Sequence, residues 1–264
     1  MSSSVWSINS CCVRSSIAAV LIAIGSVTFA ADDKTPRDWR EAGHFAAPEA
    51  RQAAAADAEN VYAISSTEVA KYDRAGKLLA HSKGEASHLN SGFLHDGKLY
   101  LAHSNYPTKP EQSEIKVLDP ATMELKTWLD FGASDGSLTW CVRDADGVWW
   151  CNFAFYGADN AESYVAKFDD WHEVARWTYP ASVVKHFGTK SSSGGIWHQG
   201  KLLVTGHDER EIYVLGLPTD ASDHVLHHVG TVKAPFTGQG IAADPATGGL
   251  IGIDRAKRRV IFAE

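Results

Sequence analysis

Short apolar runs of five or six residues alternate with Gly- and Asp-rich turns along most of this chain, and two of the runs recur. The first follows a tight turn: Gly97 to Ala102 (GKLYLA), Gly147 to Asn152 (GVWWCN), Gly200 to Thr205 (GKLLVT) and Gly249 to Asp254 (GLIGID), with Asn60 to Ile64 (NVYAI) as a fifth copy. The second lies a few residues downstream: Val69 to Asp73 (VAKYD), Ile115 to Asp119 (IKVLD), Val165 to Asp169 (VAKFD), Ile212 to Gly216 (IYVLG) and Arg259 to Ala263 (RVIFA). From Asp73 the steps between copies are 46, 50, 47 and 47 residues. β-Branched and aromatic residues in runs this short, bounded by turn formers, read as strands. A repeat of this length with about four strands per unit predicts a β-propeller.

The fold class expected is therefore all-β: five four-stranded antiparallel blades, with strands A to D counted outward from the axis. Blade one is expected over residues 51–82, blade two over 88–131, blade three over 137–179, blade four over 192–232 and blade five over 239–263. Blade five runs out of chain after its C strand. An unpaired sheet edge is a hazard that proteins avoid, so the segment Asp38–Phe45 is expected to supply its fourth strand.

A propeller has two unequal ends. The A-to-B and C-to-D turns here carry ordinary turn chemistry, such as His95-Asp96-Gly97 and Asp119-Pro120-Ala121-Thr122, which satisfies turn backbones without further purpose. The D-to-A and B-to-C connections differ. They carry His88, Asn90, His103, Asn105, Ser137, Asn152, His186, Ser192, His207, Asp208, Gln239, Asp254 and Arg255. Imidazoles, carboxylates, amides and nearby aromatics converging on one channel mouth suit a concave polar site. His103, His207, Asp208 and Asp254 are the candidates for acid/base work, since imidazole titrates near neutrality. His88, Asn90, Asn105, Ser137, His186, Ser192, Gln239 and Arg255 are the candidates for holding a ligand. Asn90, Asn152, Asp208 and Asp254 could offer hard oxygen ligands to a divalent cation such as calcium; hydrogen bonding between blades is the other reading of the same residues. The run Ser191-Ser192-Ser193-Gly194-Gly195 is not a nucleophile elbow.

The formal charge of -7 argues against a nucleic-acid partner, which needs a basic footprint. At the N-terminus, Ile17 to Ile24 is an apolar run too short to span a bilayer, with small residues Thr28 and Ala30 placed for a cut before Ala31. Residues 1–30 are thus expected to be a signal peptide, 31–37 a short tail and 38–264 one propeller domain, exported to the periplasm or the exterior. No membrane span is expected after cleavage, and the mature chain is expected to be a monomer. Beyond residue 30 only Cys141 and Cys151 remain, flanking a turn between two strands. They read either as a cross-strand disulfide, which an oxidising compartment permits, or as two buried thiols.

The repeats, the closing strand and the export pattern resemble secreted five-bladed β-propellers. The wider group is similar to the lactonase, gluconolactonase and strictosidine-synthase-like propellers and to the plant-type glutaminyl cyclotransferases. The gluconolactonase resemblance implies a calcium at the channel mouth, with Asn90, Asn152, Asp208 and Asp254 placed to hold it. Two function classes stay open: an enzyme acting on a small polar molecule by lactonase, cyclase or isomerase chemistry, and a non-catalytic propeller binding a carbohydrate, peptide or protein. Fold alone does not choose between them.

Overall fold

A computed structural model of the chain describes residues 37–264. The expected signal peptide and most of the expected tail lie outside the described residues. The first strand, β1 (Glu41–Ala46), precedes five repeats. Blade one holds β2 (Ala53–Ala56), β3 (Asn60–Ile64), β4 (Val69–Asp73) and β5 (Leu78–His81). Blade two holds β6 (Leu89–His95), β7 (Lys98–Ser104), β8 (Gln112–Asp119) and β9 (Glu124–Ala133). Blade three holds β10 (Ser137–Arg143), β11 (Trp149–Ala154), β12 (Tyr164–Asp169) and β13 (His172–Thr178). Blade four holds β14 (Gly194–His198), β15 (Lys201–Thr205), β16 (Glu211–Gly216) and β17 (His227–Lys233). Blade five holds β18 (Ala242–Asp244), β19 (Gly249–Asp254) and β20 (Arg259–Ala263), with β1 as its outermost strand. All five sheets are four-stranded with antiparallel neighbours, four of them simple meanders and the fifth completed by β1. The inner strands touch in the cyclic order β2, β6, β10, β14, β18 and back to β2, so the fold is a five-bladed β-propeller.

Burial falls from the axis outward, and residue size follows it. The four residues of β2 are all alanine and all buried, whereas β13 and β17 leave most of their side chains exposed. Between blades, a large ring lies on a glycine of the neighbouring sheet. A Cβ on Gly195 would come within 2.6 Å of the Trp140 ring, and one on Gly252 within 2.6 Å of Phe236. No side chain fits at either position, because a close-packed interior has no slack to yield.

Cys141 and Cys151 face each other across β10 and β11, as the turn between them implies. Both are buried as free thiols, so of the two expectations the unbridged one describes this structure. Burial raises both thiol pKa values, which keeps them protonated. The intervening turn is tied by Asp144, whose Oδ1 accepts from Asp146 N and Val148 N and whose Oδ2 accepts from Trp150 Nε1.

Two helical segments depart from the strand-only reading: a 3-10 turn at Gly157–Glu162 and α1 (Ala181–Phe187). The second begins after Pro180 and buries Val183 and Phe187, four residues apart, with Phe187 packed on Tyr179 and Tyr213. Seven residues containing two valines give too short a period to announce a helix. Among the described residues, no helix is long and apolar enough to cross a membrane.

Closure by β1 follows the expected scheme. β1 pairs antiparallel with β20 from Glu41↔Ala263 to Ala46↔Arg259. Trp39 N donates to Lys233 O, and Asp38 accepts from Lys233 N, which ties the segment to blade four as well. Trp39 packs edge-on against His198, and Phe45 sits between Tyr72 and Phe262. Removing residues through Ala46 should strip blade five of its outer strand and lose the Trp39 and Phe45 rings with it, each worth up to roughly 1.5–3 kcal/mol when fully buried. Against a typical stability of about 5–15 kcal/mol, that truncation is expected to lower Tm sharply or to cause aggregation, while a cut ending at residue 36 leaves Tm unchanged. Calorimetry on the two truncations checks it; a parental melt for the longer deletion would refute closure as a stabilising element.

Candidate functional site

One end of the channel opens into a cavity of about 170 Å³ to which every blade contributes. Gln52 comes from the entry to blade one, His88, Asn90 and Tyr106 from blade two, and Thr139 and Tyr156 from blade three. Lys190, Ser193 and His207 come from blade four and its entry, and Gln239 and Arg255 from blade five. All but Thr139, in β10, and Asn90, in β6, lie in connections running D to A or B to C, the end the blade lettering singles out. A wider, shallower depression of about 410 Å³ lies beside it between blades four and five, where Asp208, Thr237, Ala256 and Arg258 join His207 and Arg255. The axial cavity is the better candidate, because only there do all five repeats converge.

His207 is the most organised group in the cavity. Its Nδ1 lies 2.6 Å from Asp208 Oδ1, and its Nε2 lies 2.9 Å from Arg255 Nη1. A guanidinium only donates, so Nε2 is the acceptor and Nδ1 carries the proton that Asp208 receives. Burial holds the His207 pKa below its ordinary value against the upward pull of Asp208, and the positive charges of Arg255 and Lys190 lower it further. His88 is likewise held low, by burial first and then by Arg255. Two imidazoles held low thus share the mouth with Arg255 and Lys190. The aromatic side of the cavity is formed by Tyr106, whose ring lies 5.4 Å from His88 and 4.8 Å from Tyr156. Burial raises the pKa of Tyr156, so its phenol stays neutral.

Gln239 is held in an unusual backbone conformation. Its φ is 139°, between Gly238 and Gly240, in a region that favours glycine. Its side-chain amide donates to His207 O at 2.8 Å, and its carbonyl accepts from Thr205 Oγ1. A Cβ on Gly238 would meet Gly206 O at 2.5 Å, so the flanking position has to be glycine. The strain at Gln239 keeps an amide at the mouth where glycine would be the relaxed choice.

The structure brings together His88, Asn90, His207, Gln239 and Arg255, with Asp208 one step away on the rim. It commits the other predicted residues elsewhere. His103 lies behind the wall, where its Nε2 accepts from Ser87 N at 3.0 Å and its Nδ1 faces Glu114 at 3.3 Å. It stabilises the loop before His88 and does not reach the cavity. Asp254 is buried under Arg210 at 2.9 Å and Arg259 at 3.3 Å and accepts from Lys257 N, so its carboxylate is consumed in joining blades four and five. Asn152 accepts from Tyr179 OH and donates to Thr139 Oγ1, while Ser192 Oγ accepts from Trp140 Nε1. These two belong to one buried network linking blades three and four beneath the floor. Asn105 closes its own loop through Pro110 O and Gln112 N. Ser137 is buried facing Glu111, and His186 lies on α1 against Glu211 and Tyr213, outside the cavity.

The proposed cation set does not assemble, because the polar atoms of Asn152 and Asp254 are already satisfied and Asp208 is paired with His207. The metal-capable side chains that the structure does group are Glu49, Glu68 and His81, on blade one. Tyr72 OH donates to Glu49, and His81 sits 3.2 Å from Glu68, so internal contacts account for that group. Gln52, Tyr106, Thr139, Tyr156, Lys190 and Ser193 line the cavity without having been singled out as site residues. Their connections were legible, but nothing in a lone Lys, Tyr or Ser reveals the direction of its side chain.

Neither the known protein-family models nor the curated proteins contain a match to this chain. Solved structures do match in fold. The chain is similar to a glutaminyl cyclase of Myxococcus xanthus at TM-score 0.55 and 8% identity, covering 86% of this chain and 97% of that one. It is also similar to a Thermus thermophilus protein described as a putative oxidoreductase (glucose dehydrogenase), at TM-score 0.52 and 11% identity, covering 86% and 99%. At such identities the likeness establishes the propeller and nothing about the chemistry.

Two expectations follow. Gln239→Gly should be more stable than Gln239→Ala by about 1 kcal/mol or more, inverting the usual order in which Gly is the weaker by about 0.5–1 kcal/mol. Urea melts of the two variants decide this, since both lose the same amide. Separately, burial pushes His103 down to about 4 from an ordinary 6.5. The unfolded chain then binds a proton in that interval that the folded chain refuses. The stability tied to His103 is therefore complete above pH 6.5 and is lost as pH falls through about 4, with His88 and His207 adding in the same sense. Tm should fall across this window, and His103→Gln should flatten the fall; an unchanged slope in the variant would contradict the assignment.

Proposed function

We propose that the protein is an exported propeller whose channel mouth binds a small polar molecule and acts on it by proton transfer, in the manner of a lactonase, cyclase or isomerase. The observation that carries this reading is the Asp208–His207 pair at the edge of a cavity built by all five blades. A carboxylate that orients one imidazole nitrogen and stabilises the imidazolium leaves the other nitrogen to accept or return a proton. The remaining wall suits recognition: Asn90, Gln52, Gln239 and Ser193 offer amide and hydroxyl groups, and Tyr106 and Tyr156 offer apolar faces with phenolic tips. Similarity in fold to a glutaminyl cyclase and to an oxidoreductase agrees with a catalytic propeller while specifying neither reaction. Export rests on the apolar run Ile17 to Ile24 and the small residues before Ala31.

A second reading, a propeller that binds without catalysis, is favoured by one contact. Arg255 occupies the His207 Nε2 lone pair, so the nitrogen that would take a proton is covered.

Native mass spectrometry of the purified chain for a retained small molecule, followed by screens for lactone hydrolysis and intramolecular cyclisation, separates the two readings. If the mouth is catalytic, His207→Gln should lower turnover by about 10²–10⁴-fold, the usual worth of a general acid or base, with substrate affinity changed far less. A retained ligand whose affinity alone responds to His207→Gln, with no turnover in either screen, would favour the binding module.

A further inference from the structure

The charge balance at the mouth is opposite to that of the chain. The whole sequence carries a formal -7, yet the axial cavity presents Arg255 and Lys190, and no carboxylate among the described residues lines it. Asp208 stands on the rim, already bonded to His207. Arg74, Arg176, Arg210 and Arg259 each have a carboxylate partner within 3.3 Å. Arg255, like Arg51, Arg143 and Arg258, has none among the described residues; its side-chain partner is the His207 ring, and of these four it is the one that lines the axial cavity. A half-buried guanidinium has given up part of its hydration, and a neutral acceptor returns less than an anion does. Burial lowers its pKa first, against the upward pull of the Asp208 charge on the rim, and the positive charges of Arg258 and Arg51 lower it further.

Resting on the reading of the mouth as a small-molecule site, we infer that its ligand carries a carboxylate, gripped by Arg255 with Lys190 as a second charge, and that this grip draws Arg255 off His207 Nε2. The planar fork of a guanidinium matches a carboxylate in two parallel hydrogen bonds. Such a partner outcompetes a single bond to an imidazole. Once Arg255 turns to the ligand, the Nε2 lone pair faces the cavity beside the bound molecule, while Nδ1–H stays on Asp208. The arginine thus covers the imidazole in the observed contact and uncovers it when the cognate charge arrives. The Tyr106–Tyr156 wall favours an organic acid over inorganic phosphate, because it presents apolar ring faces to the part of the ligand beyond its charge.

The test uses acetate, succinate and benzoate, their neutral amides, and inorganic phosphate as probes of the intact protein. Affinities are read by calorimetry or NMR, and the ¹⁵N signal of His207 Nε2 is followed at fixed pH. At least one carboxylate should bind at least tenfold more tightly than its amide, and Arg255→Gln should abolish that preference while leaving Tm near the parental value. Arg255→Lys should restore it only in part, since an ammonium supplies charge without the fork. With the acid bound, the His207 Nε2 signal of the parent should move toward its position in ligand-free Arg255→Gln, where the nitrogen is already uncovered. Amides or sugars binding as well as the acids would overturn the inference and leave the mouth as a polar site. Phosphate binding more tightly than every carboxylate would overturn the assigned class. Binding of none of these would overturn the inference, and if glucose and galactose, tested in the same way, also fail to bind, the reading beneath it falls too.

Discussion

Five sheets that meet on one axis leave almost no room at their inner edges, and that crowding shapes the rest of the molecule. It selects alanine throughout β2 and glycine where Trp140 and Phe236 cross from one blade to the next. The inner strands consequently give the cavity only two of its lining side chains, Asn90 and Thr139. Polar chemistry is pushed to the strand ends, where the connections diverge and side chains regain space. The mouth is therefore a product of packing before it is a product of function: connections from every blade open there because the inner strands cannot separate.

Much of the architecture was legible because a repeat states the same constraint several times over. The Gly-containing turns and the apolar runs after them mark the second and third strands of each blade, and the Cys141/Cys151 facing pair follows from the turn between them. Closure by the segment before Phe45 was legible from arithmetic alone, since blade five lacked a strand. α1 was not, because its seven residues carry no periodic signal and its valines favour strand.

The site was legible as a set of connections but not as a set of side chains. Asp208 beside His207 was visible as a neighbouring pair, and the structure keeps it as one. Asp254 beside Arg255 had the same appearance, yet its partner is Arg210, 44 positions earlier, which no local pattern announces. His103 is separated from the cavity by a single loop, and only the fold shows that its ring supports Ser87. Lys190 was passed over because an isolated lysine between a helix and a strand looks like any solvated lysine. What determines each outcome is side-chain direction, and alternation fixes that direction inside strands but not in the connections that form the mouth.

Two backbone bonds between Arg40 and Glu264 join the ends of the propeller, each residue donating its N–H to the other at 2.9 Å. Seen in time and not in space, this contact reverses the order of the chain: the strand made first is the strand that pairs last. β1 has no strand to pair with until β20 exists, more than two hundred residues later, and contacts of such separation are slow to form. Its composition suits the wait. Four of its six residues are exposed even in the finished sheet, and only Gly43 and Phe45 sink part way among neighbours. A segment so weakly apolar can stay solvated without attracting other chains, while the apolar edge it will cover, Val260 and Ile261 of β20, is the last part of the propeller to appear. The ring thus exposes its stickiest unpaired edge only at the moment the strand that seals it can be used.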